Sequence, residues 1–463
     1  MKNTYVKMYL LASCLLVGSF FISCSKQIST APIEKDCEYL KTLLSEASID
    51  FSTAVDEGLD IDSFINDVKK NYVFYVERNQ KNKFEDPDEK GIYNGAFVGA
   101  ITYALQDALK KKNTHMTIKG KDAYLAHAYV NRVYVSDIYF EKLDEDFNVS
   151  NDLQNGISKG MKYTGEKKNV VQEYADGKLF YRYIVFSEDL SLDTAEISLD
   201  GNNIKIPVRR AELSSREGKD LWYEEKDDKF YIIAKTFYPH LEKNIEDYER
   251  TLSEICEKIN DYQEVVFDLR DNNGGYIEYF LPILASMIFG KIDLEEDERV
   301  DFLNADLHIG ERQLMTETVK NSYLLDGQNV SDFYFANKGK RYFITENMKE
   351  KSDIKATVFQ GKIIVVMNTY TVSAAEVFIC MLKKYFSNQV ILIGEKSGGM
   401  ADFSGVFSYL LPDSKIRLSL CCADCTESSI LNPQYGWRGD TEGFYPDYWI
   451  FSESDIDGFV KSY

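Results

Sequence analysis

Residues 363–367 read Ile-Ile-Val-Val-Met, and residues 369–376 follow almost directly as Thr-Tyr-Thr-Val-Ser-Ala-Ala-Glu. The apolar, β-branched run predicts a buried parallel strand, and the residues from Ala374 onward predict a helix that begins beside Ser373. A serine at such a turn lies at the end of a sheet and near free helix N-terminal amides, which can stabilise an oxyanion. Serine at a helix start is also a common N-cap. Spacing alone leaves both interpretations of Ser373 open, helix cap and nucleophile.

The composition is that of a folded, acidic protein. The chain has 463 residues, 14% of them aromatic, so it is long enough for two or three domains and too apolar to be disordered. Its formal charge is −21. A protein without a net positive field does not attract phosphates, which argues against nucleic acid as a partner. The acidity favours solubility and does not identify a substrate.

The first 24 residues have the pattern of a processing signal. Lys2 and Lys7 give a basic start, an apolar run covers residues 9–21, and Cys24 follows Ser23 at its end. The run is too short, and wrongly flanked, for a membrane-spanning helix. Its end is similar to the lipobox of bacterial lipoproteins, which implies lipidation at Cys24 and a mature protein tethered to the cell envelope. Plain secretion is the alternative.

Three cysteines near the C-terminus, Cys421, Cys422 and Cys425, have three interpretations. A metal site is disfavoured because no second Cys or His pair lies at zinc-ligand spacing and residues 415–420 alternate like a strand. A disulfide in an oxidising envelope is the second interpretation. Buried or free thiols are the third. We therefore predict no metal site.

The pattern of apolar residues changes along the chain and predicts a multi-domain α/β protein. Residues 25–118 have helical spacing, and residues 119–226 form short alternating strands that include an Asp200-Gly201 turn signal. In residues 227–463 apolar strands alternate with helices, which is the pattern of βαβ crossovers and a largely parallel sheet. A charged, irregular insertion at about 291–358 interrupts this last domain.

A second predicted strand end carries two glycines. Residues 265–269 predict a strand, and residues 268–275 read Asp-Leu-Arg-Asp-Asn-Asn-Gly-Gly ahead of a predicted helix. Glycine allows a positive φ and a close approach of the backbone, so these amides can point into a cleft. Asn-Gly-Gly is also a common turn. A phosphate-binding loop is excluded because the Lys-Ser/Thr of that motif is absent.

In their order and separation these segments resemble the S41 peptidases, the family of the carboxy-terminal processing and tricorn core proteases. Besides the two strand ends, residues 393–399 match as Ile-Gly-Glu-Lys-Ser-Gly-Gly. Residues 411–414, Leu-Pro-Asp-Ser, are similar to the family's Leu-Pro-Asp-Gly hairpin, and residues 442–447 to its terminal Glu-x-x-Gly-Val-x-Pro-Asp motif. The resemblance covers 229–290 and 360–450 and implies a ClpP/crotonase-like catalytic domain. The middle module lies where many members carry a PDZ domain, although no PDZ peptide-binding loop is recognisable.

The resemblance implies a serine-type mechanism. Ser373 takes the position of the nucleophile, whose alcohol needs a base to become reactive. The amide of Ala374 and an amide of Gly274 or Gly275 would form the oxyanion hole. Glu376 is expected to fix the start of the helix and not to act as the base.

The base is where this sequence departs from the processing proteases. In those enzymes a Lys follows the motif matched here by residues 397–399, and Met400 occupies that position. A thioether cannot take up the proton. Lys396 is the alternative base, but its position in the motif predicts a side chain that projects elsewhere.

The tricorn-like branch uses a His preceded by a small hydroxyl residue in the N-terminal helical region. Thr114 and His115, which follow a predicted helix, resemble that pair. Imidazole has a pKa that suits a base near neutral pH. His115 is therefore the predicted base, Thr114 its support and His127 its rival. A structural or exposed histidine is the alternative interpretation.

An acid that orients the imidazole is expected near the terminal motif. Glu442 is the first choice and Asp440 the second, because the Glu-to-Gly spacing is shorter here than in the family. A solvated loop acid is the alternative role for either residue.

Three functional hypotheses follow. The first is a secreted serine endopeptidase that acts on a protein or peptide through a Ser373 acyl-enzyme and requires no metal or organic cofactor. The second is a catalytically silent relative that binds a peptide or an apolar ligand in the same cleft, motivated by Met400 and the divergent Thr-His segment. The third is another acyl hydrolase, such as an esterase, supported only by the shared chemistry.

Overall fold

The computed structural model describes residues 28–82, 85–109, 115–121, 123–126, 131–153, 156–211, 213–214, 217–239, 245–291, 298–307, 312–313, 343–344 and 357–463. The predicted signal with Cys24, and most of the predicted insertion at 291–358, lie outside these residues. No helix in the described ranges is long and apolar enough to cross a membrane.

Helices cluster at the two ends of the chain and between the later strands. The α-helices of the described part are α1 (Glu34–Ala47), α2 (Ile49–Asp56), α3 (Ile61–Asn82), α4 (Asn94–Ala108), α5 (Ile245–Lys258), α6 (Leu281–Phe289), α7 (Glu298–Leu307), α8 (Ala374–Phe386) and α9 (Glu453–Ser462). The helical spacing predicted for the N-terminal region is real, since Leu40, Leu43, Leu44 and Ala47 line the buried face of α1.

Strands occupy the middle of the chain and alternate with helices afterwards. They are β1 (Thr117–Lys119), β2 (Tyr124–Ala126), β3 (Arg132–Leu143), β4 (Asp146–Val149), β5 (Val170–Ala175), β6 (Lys178–Ser187), β7 (Thr194–Leu199), β8 (Asn202–Pro207), β9 (Arg209–Arg210), β10 (Leu221–Lys226), β11 (Lys229–Ala234), β12 (Glu264–Asp268), β13 (Arg312–Gln313), β14 (Phe343–Ile344), β15 (Lys362–Met367), β16 (Val390–Gly394), β17 (Phe403–Leu410), β18 (Arg417–Asp424) and β19 (Tyr448–Trp449).

A largely parallel central sheet confirms the predicted α/β fold. Its strand order is β10-β11-β12-β15-β16-β19-β5-β6-β3-β4, and every neighbouring pair from β11 to β5 is parallel. Parallel strands need both faces covered, which explains their continuous apolar runs. Phe230, Ile232 and Ala234 pack among α5, α6 and α8 on one face. Tyr231 and Ile233 pack on the opposite face, together with residues of α9.

The β-rich middle region continues this sheet. Trp449 of β19 pairs with Glu173 of β5, and the strands beyond β5 are antiparallel. Trp449 also packs with Val133, Val135 and other residues of the middle strands in one small core. The predicted Asp200-Gly201 turn closes the β7–β8 hairpin, and both turn residues have positive φ, 49° and 78°.

The N-terminal helices do not form a core of their own. They share one with the β17–β18 hairpin, to which β1 is attached by antiparallel pairing of Thr117 with Ser419. Asp36 of α1 is buried and accepts hydrogen bonds from the amides of Asp413 and Ser414, both at 2.7 Å, in the hairpin turn. The hairpin therefore joins the beginning of the chain to its end.

Candidate active site

Three loops meet at one edge of the central sheet. They follow β12, β15 and β16, which are neighbours in the sheet and run parallel. The carboxyl ends of parallel strands lie at the same edge, where open α/β sheets bind their ligands. This topology brings the Gly274–Gly275 segment, Ser373 and the loop from Glu395 to Met400 together.

Ser373 is held in a conformation that few non-glycine residues adopt. Its φ is 57° and its ψ −127°, at the residue before α8. Such backbone strain persists only where the surroundings impose it, and it is common at functional sites. The adjoining residues supply the constraint: Val372 N–H donates to the Asn272 carbonyl at 3.0 Å, and Thr371 Oγ1 donates to the Leu269 carbonyl at 2.8 Å.

Glu376 fixes the nucleophile's amide to the neighbouring loop, as expected of a residue that anchors the helix start. Its side chain is fully buried, and Oε2 accepts the amides of Ser373 at 3.1 Å and Met400 at 2.8 Å. Oε1 accepts the amide of Gly399 at 2.8 Å and the hydroxyl of Ser397. Burial raises the pKa of this carboxyl to about 7, against the lowering effect of the hydrogen bonds from Ser397, Met400 and Gly399 and of the charge on Lys396.

Gly274 and Gly275 are glycines for two different steric reasons. A Cβ on Gly274 would lie 2.7 Å from Ser373 Cβ and 3.0 Å from Ser373 Oγ. A Cβ on Gly275 would lie 2.2 Å from the carbonyl carbon of Phe237. Both have positive φ, 89° and 138°. Gly274 is therefore required by its close approach to the nucleophile, and Gly275 by its close approach to the backbone of Phe237.

The two glycine amides are not equivalent as oxyanion donors. Gly274 N–H donates to Asn272 Oδ1 at 2.9 Å, so it is already engaged. The amides of Gly275 and Ala374 make no hydrogen bond with another described residue. Of the two glycines that the sequence offered, Gly275 has the amide available to pair with Ala374 in an oxyanion hole.

His115 lies against the nucleophile although 258 residues separate them. Its Nε2 is 2.8 Å from Ser373 Oγ. The ring is brought there by β1, because the antiparallel register of β1 and β18, extended by two residues, sets His115 opposite Cys421. The backbone N–H of His115 donates to the Cys421 thiol in agreement with that register.

The environment of His115 keeps the imidazole neutral. Burial lowers its pKa to about 4, and no charged group in the described ranges contributes to that shift. At neutral pH one ring nitrogen is therefore an acceptor, and we assign that role to Nε2, which faces the serine hydroxyl. Thr114 and the rival histidine, His127, lie outside the described residues.

Lys396 lies close to the site, but its amine is engaged by other groups and is not placed to act as the base. Its side chain is almost fully buried, and Nζ donates to the carbonyls of Ser397 at 2.9 Å and Thr441 at 3.0 Å. Burial lowers its pKa to about 8. These contacts join the loop after β16 to the terminal motif, which is a structural role. Met400 takes part through its backbone amide, which donates to Glu376.

Neither predicted acid reaches the imidazole through a direct hydrogen bond among the described residues. Glu442 Oε2 accepts the hydroxyl of Tyr445 at 2.6 Å. Asp440 Oδ1 accepts the amides of Ala401 and Asp402, both at 3.0 Å, and burial raises the pKa of its carboxyl well above the ordinary range. Glu442 as the orienting acid therefore receives no support, because its carboxylate serves the terminal loop.

Two asparagines complete the site, and sequence reasoning gave them no role. Asn272 Nδ2 donates to the Ala234 carbonyl at 2.9 Å while its Oδ1 accepts Gly274 N–H. Asn368 Oδ1 accepts the amides of Asp271 and Tyr370, both at 3.0 Å. Asn272 lies inside the quoted segment 268–275, and Asn368 lies between the quoted strand and the turn at Ser373. An amide side chain can donate and accept at once, which suits it to joining two loops.

The cysteines near the C-terminus form no disulfide bond in the described part of the chain. Cys421 and Cys422 lie buried in β18, and Cys425 follows that strand. In the part of the chain that the structure describes, no group of His, Cys, Asp and Glu side chains is arranged to hold a metal ion.

A serine hydroxyl in contact with a neutral histidine, at a helix start beside two available amides, is the site layout of a serine hydrolase. Residues 231–450 match the model of peptidase family S41. This part of the chain, which includes Ser373, is a peptidase domain and belongs to that family.

Solved structures with partial similarity cover most of the chain. Mature CPAF is 11% identical, with 94% of this chain and 96% of that chain covered and a TM-score of 0.42. A putative peptidase from Parabacteroides merdae ATCC 43184 is 14% identical, with 92% of each chain covered and a TM-score of 0.37. The photosystem II D1 C-terminal processing protease is 14% identical, with 91% and 93% covered and a TM-score of 0.33. A comparison with curated proteins gives no significant match.

Proposed function

We propose that this chain is a serine endopeptidase that hydrolyses peptide bonds through an acyl-enzyme at Ser373, with His115 as general base. The single observation that carries the proposal is the 2.8 Å contact between His115 Nε2 and Ser373 Oγ. A nucleophile and a base within hydrogen-bond reach are the geometric requirement for this chemistry.

In the acylation step, Ser373 Oγ attacks the scissile carbonyl carbon while His115 Nε2 takes up the hydroxyl proton. The negative charge that develops on the carbonyl oxygen is stabilised by the amides of Ala374 and Gly275. The tetrahedral intermediate then collapses. The C–N bond breaks, and His115 returns the proton to the departing amine, leaving an ester on Ser373.

In the deacylation step, water takes the place of the amine. His115 removes a proton from the water, the resulting hydroxide attacks the ester carbon, and the oxyanion forms again between the same two amides. When the intermediate collapses, the C–Oγ bond breaks and His115 returns its proton to Ser373 Oγ, which releases the carboxylic acid and restores the serine hydroxyl. No step requires a metal or an organic cofactor.

A silent scaffold that binds a peptide in the same cleft is the second candidate. Two observations favour it: Met400 replaces the family lysine, and no carboxylate among the described residues hydrogen-bonds to His115. An unsupported imidazole can still act as a base, because removing the acid of a triad lowers the rate less than removing the serine or histidine.

A fluorophosphonate probe distinguishes the two candidates because it reacts only with an activated serine. The protein lacking residues 1–24 is treated alongside Ser373→Ala, His115→Ala and Lys396→Ala. Ser454→Ala, an exposed serine at the start of α9, is the matched control. We expect labelling of the wild type and the control, none of Ser373→Ala, and a rate lower by at least about a thousandfold in His115→Ala.

Two results would contradict the proposal. If the wild type is not labelled over a range of pH, although circular dichroism shows that it is folded, the silent scaffold becomes the favoured function. Labelling that persists in His115→Ala and is lost in folded Lys396→Ala would transfer the base to the lysine.

The endopeptidase class is tested by the products. A denatured protein is digested and the new termini are mapped by mass spectrometry. Cleavage inside the chain is expected of the proposed endopeptidase. Release of terminal residues alone would make the enzyme an exopeptidase.

We also propose that Cys24 is lipidated and tethers the mature protein to the bacterial cell envelope, since a basic start and an apolar run precede it. Metabolic labelling with an alkyne fatty acid should mark the wild type and not Cys24→Ala. Equal amounts of both proteins in the soluble fraction, without label, would indicate plain secretion.

A further inference from the structure

Two tyrosine rings adjoin the glycine segment that contacts the nucleophile and take no part in the proposed chemistry. Tyr276, directly after Gly275, is 54% exposed. Its ring lies 5.1 Å from that of the half-buried Tyr238, centroid to centroid, at an interplanar angle of 57°. We call these two residues the tyrosine pair. A large aromatic surface left open at a site is more often used for binding than for stability.

The tyrosine pair is within reach of a substrate bound at Ser373. Gly274 touches the nucleophile, since a Cβ placed on it would lie 3.0 Å from Ser373 Oγ. Tyr276 follows two residues later, so its Cα lies within about 7 Å of that of Gly274. A substrate side chain adjacent to the scissile bond is therefore within reach of the Tyr276 ring.

The backbone at Gly275 offers a strand edge to such a substrate. Phe237 N–H donates to the Gly274 carbonyl and Tyr276 N–H donates to the Phe237 carbonyl, both at 2.8 Å. In this parallel pairing the N–H and C=O of Gly275 itself point to the opposite side. Gly275 is exposed, and those two groups have no hydrogen-bond partner among the described residues.

A peptide can add to that edge as one more strand. Its scissile carbonyl accepts Gly275 N–H, as the oxyanion hole requires, and one of its own amides donates to the Gly275 carbonyl. Main-chain pairing of this kind fixes the register of the peptide, so one side chain next to the scissile bond must lie over the tyrosine pair.

The chemistry around the pair selects apolar side chains. The two rings offer aromatic faces, which bind aliphatic and aromatic groups. Glu278 acts electrostatically on Tyr276, and Glu249 acts on the neighbouring Tyr279. Both glutamates are exposed at the rim. A negative rim disfavours an acidic substrate side chain.

We propose that Tyr276 and Tyr238 form the subsite for a large apolar or aromatic side chain of a substrate that binds as a strand along Gly275. This inference rests on the proposed function, because the subsite is placed relative to Ser373. It assigns the substrate class as unfolded polypeptide segments cleaved within one residue of Phe, Tyr, Leu or Met.

The test compares cleavage preferences of matched variants on a peptide library prepared from a denatured proteome. The proteins are the wild type, Tyr276→Ala, Tyr276→Phe, Tyr238→Ala and Tyr103→Ala. Tyr103 on α4 is the matched control, being 57% exposed and part of the N-terminal helical region. We expect wild-type cleavages to be enriched within one residue of large apolar side chains.

Purified peptides that differ only by Phe or Ala next to the scissile bond measure how strongly the enzyme prefers an apolar side chain there. The ratio of their kcat/KM values should fall about tenfold in Tyr276→Ala, chiefly through KM, and be retained in Tyr276→Phe and Tyr103→Ala. Wild-type cleavage without apolar enrichment, or an unchanged ratio in Tyr276→Ala, overturns the subsite. In either case, labelling that needs Ser373 and His115 leaves the proposed function standing.

A binding measurement keeps the subsite testable if the enzyme is silent. Blocked octapeptides with Phe or Ala at one central position are titrated into Ser373→Ala by calorimetry. Tighter binding of the Phe peptide, lost when Tyr276→Ala is added, supports the subsite without catalysis. Equal affinities of Ser373→Ala for the two peptides overturn it.

Discussion

The two halves of the candidate site are built in different ways. The nucleophile side, comprising Gly274, Ser373 and Glu376, lies at the ends of adjacent parallel strands within one core. Several hydrogen bonds from neighbouring loops fix it. The base side consists of His115, which is carried by β1 on the β17–β18 hairpin and belongs to a different core. In the described residues, one hydrogen bond joins the two sides.

Because the two sides are built differently, substitutions on each side should lower activity in different ways. A change on the nucleophile side distorts a rigid, strained turn. A change on the base side leaves the turn intact and moves the imidazole relative to it. Because an error of about 1 Å in the placement of reacting groups can cost a hundredfold in rate, both sides matter. The nucleophile side should nevertheless respond more strongly to single substitutions, because several hydrogen bonds hold its main-chain amides in place.

The largest effect is expected from Gly274→Ala. The added Cβ would lie 2.7 Å from Ser373 Cβ and 3.0 Å from the Ala374 amide, and Gly274 has a φ of 89°. The nucleophile and one oxyanion donor must shift together. The labelling rate should fall about a hundredfold to a thousandfold, the range seen when an oxyanion donor is lost. Gly99→Ala is the control, since its nearest contact would be an ordinary 3.6 Å. Equal rates in both variants would mean that Gly274 does not position Ser373.

Glu376→Gln should have a smaller effect on the same side. An amide keeps the shape of the carboxyl group but presents one acceptor atom and one donor group to four donors. It therefore cannot accept the amides of Ser373, Met400 and Gly399 together with the Ser397 hydroxyl. Loss of buried hydrogen bonds to a charged group costs about 1.5–3 kcal/mol, which corresponds to about a tenfold to hundredfold lower labelling rate. An unchanged rate, with a lowered Tm, would show that Glu376 stabilises the fold without positioning the nucleophile.

The two sides should also titrate separately. Burial raises the pKa of Glu376 to about 7 and lowers that of His115 to about 4. As pH falls, Glu376 is protonated first and loosens its amide partners, and His115 later loses its capacity to accept a proton. The labelling rate should therefore decline modestly through pH 7 and then about tenfold per unit below pH 4. The upper inflection should disappear in Glu376→Gln. A single inflection near the ordinary histidine pKa of 6.5 would contradict the lowered pKa of His115.

The same division explains what the sequence could predict. The turn at Ser373 and the parallel strands leave local signals, because a strand buried on both faces must be continuously apolar and a helix begins within a few residues of it. His115 became a candidate only through family resemblance, since the pairing of Thr117 with Ser419 joins segments about 300 residues apart and leaves no local pattern. The directions in which the side chains point are even harder to predict from the sequence. Glu442 accepts a hydrogen bond from Tyr445, and Gly274 N–H donates one to Asn272. Neither contact can be inferred from the spacing of the residues in the sequence.

The smallest effect, and the sharpest probe of the base side, is expected from Cys421→Ala. The thiol accepts the backbone N–H of His115, so its removal frees one anchor of the imidazole without touching Ser373. A net intramolecular hydrogen bond contributes about 0.5–1.5 kcal/mol, which predicts a two- to tenfold lower labelling rate. Cys421→Ser, which keeps an acceptor, should recover part of the loss.

Cys256→Ala makes the same truncation at a buried position in the sheet core and should not change the labelling rate. If Cys421→Ala and Cys256→Ala label equally fast at equal Tm, the hairpin does not position His115 through this contact. The base side would then depend on the β1–β18 pairing alone.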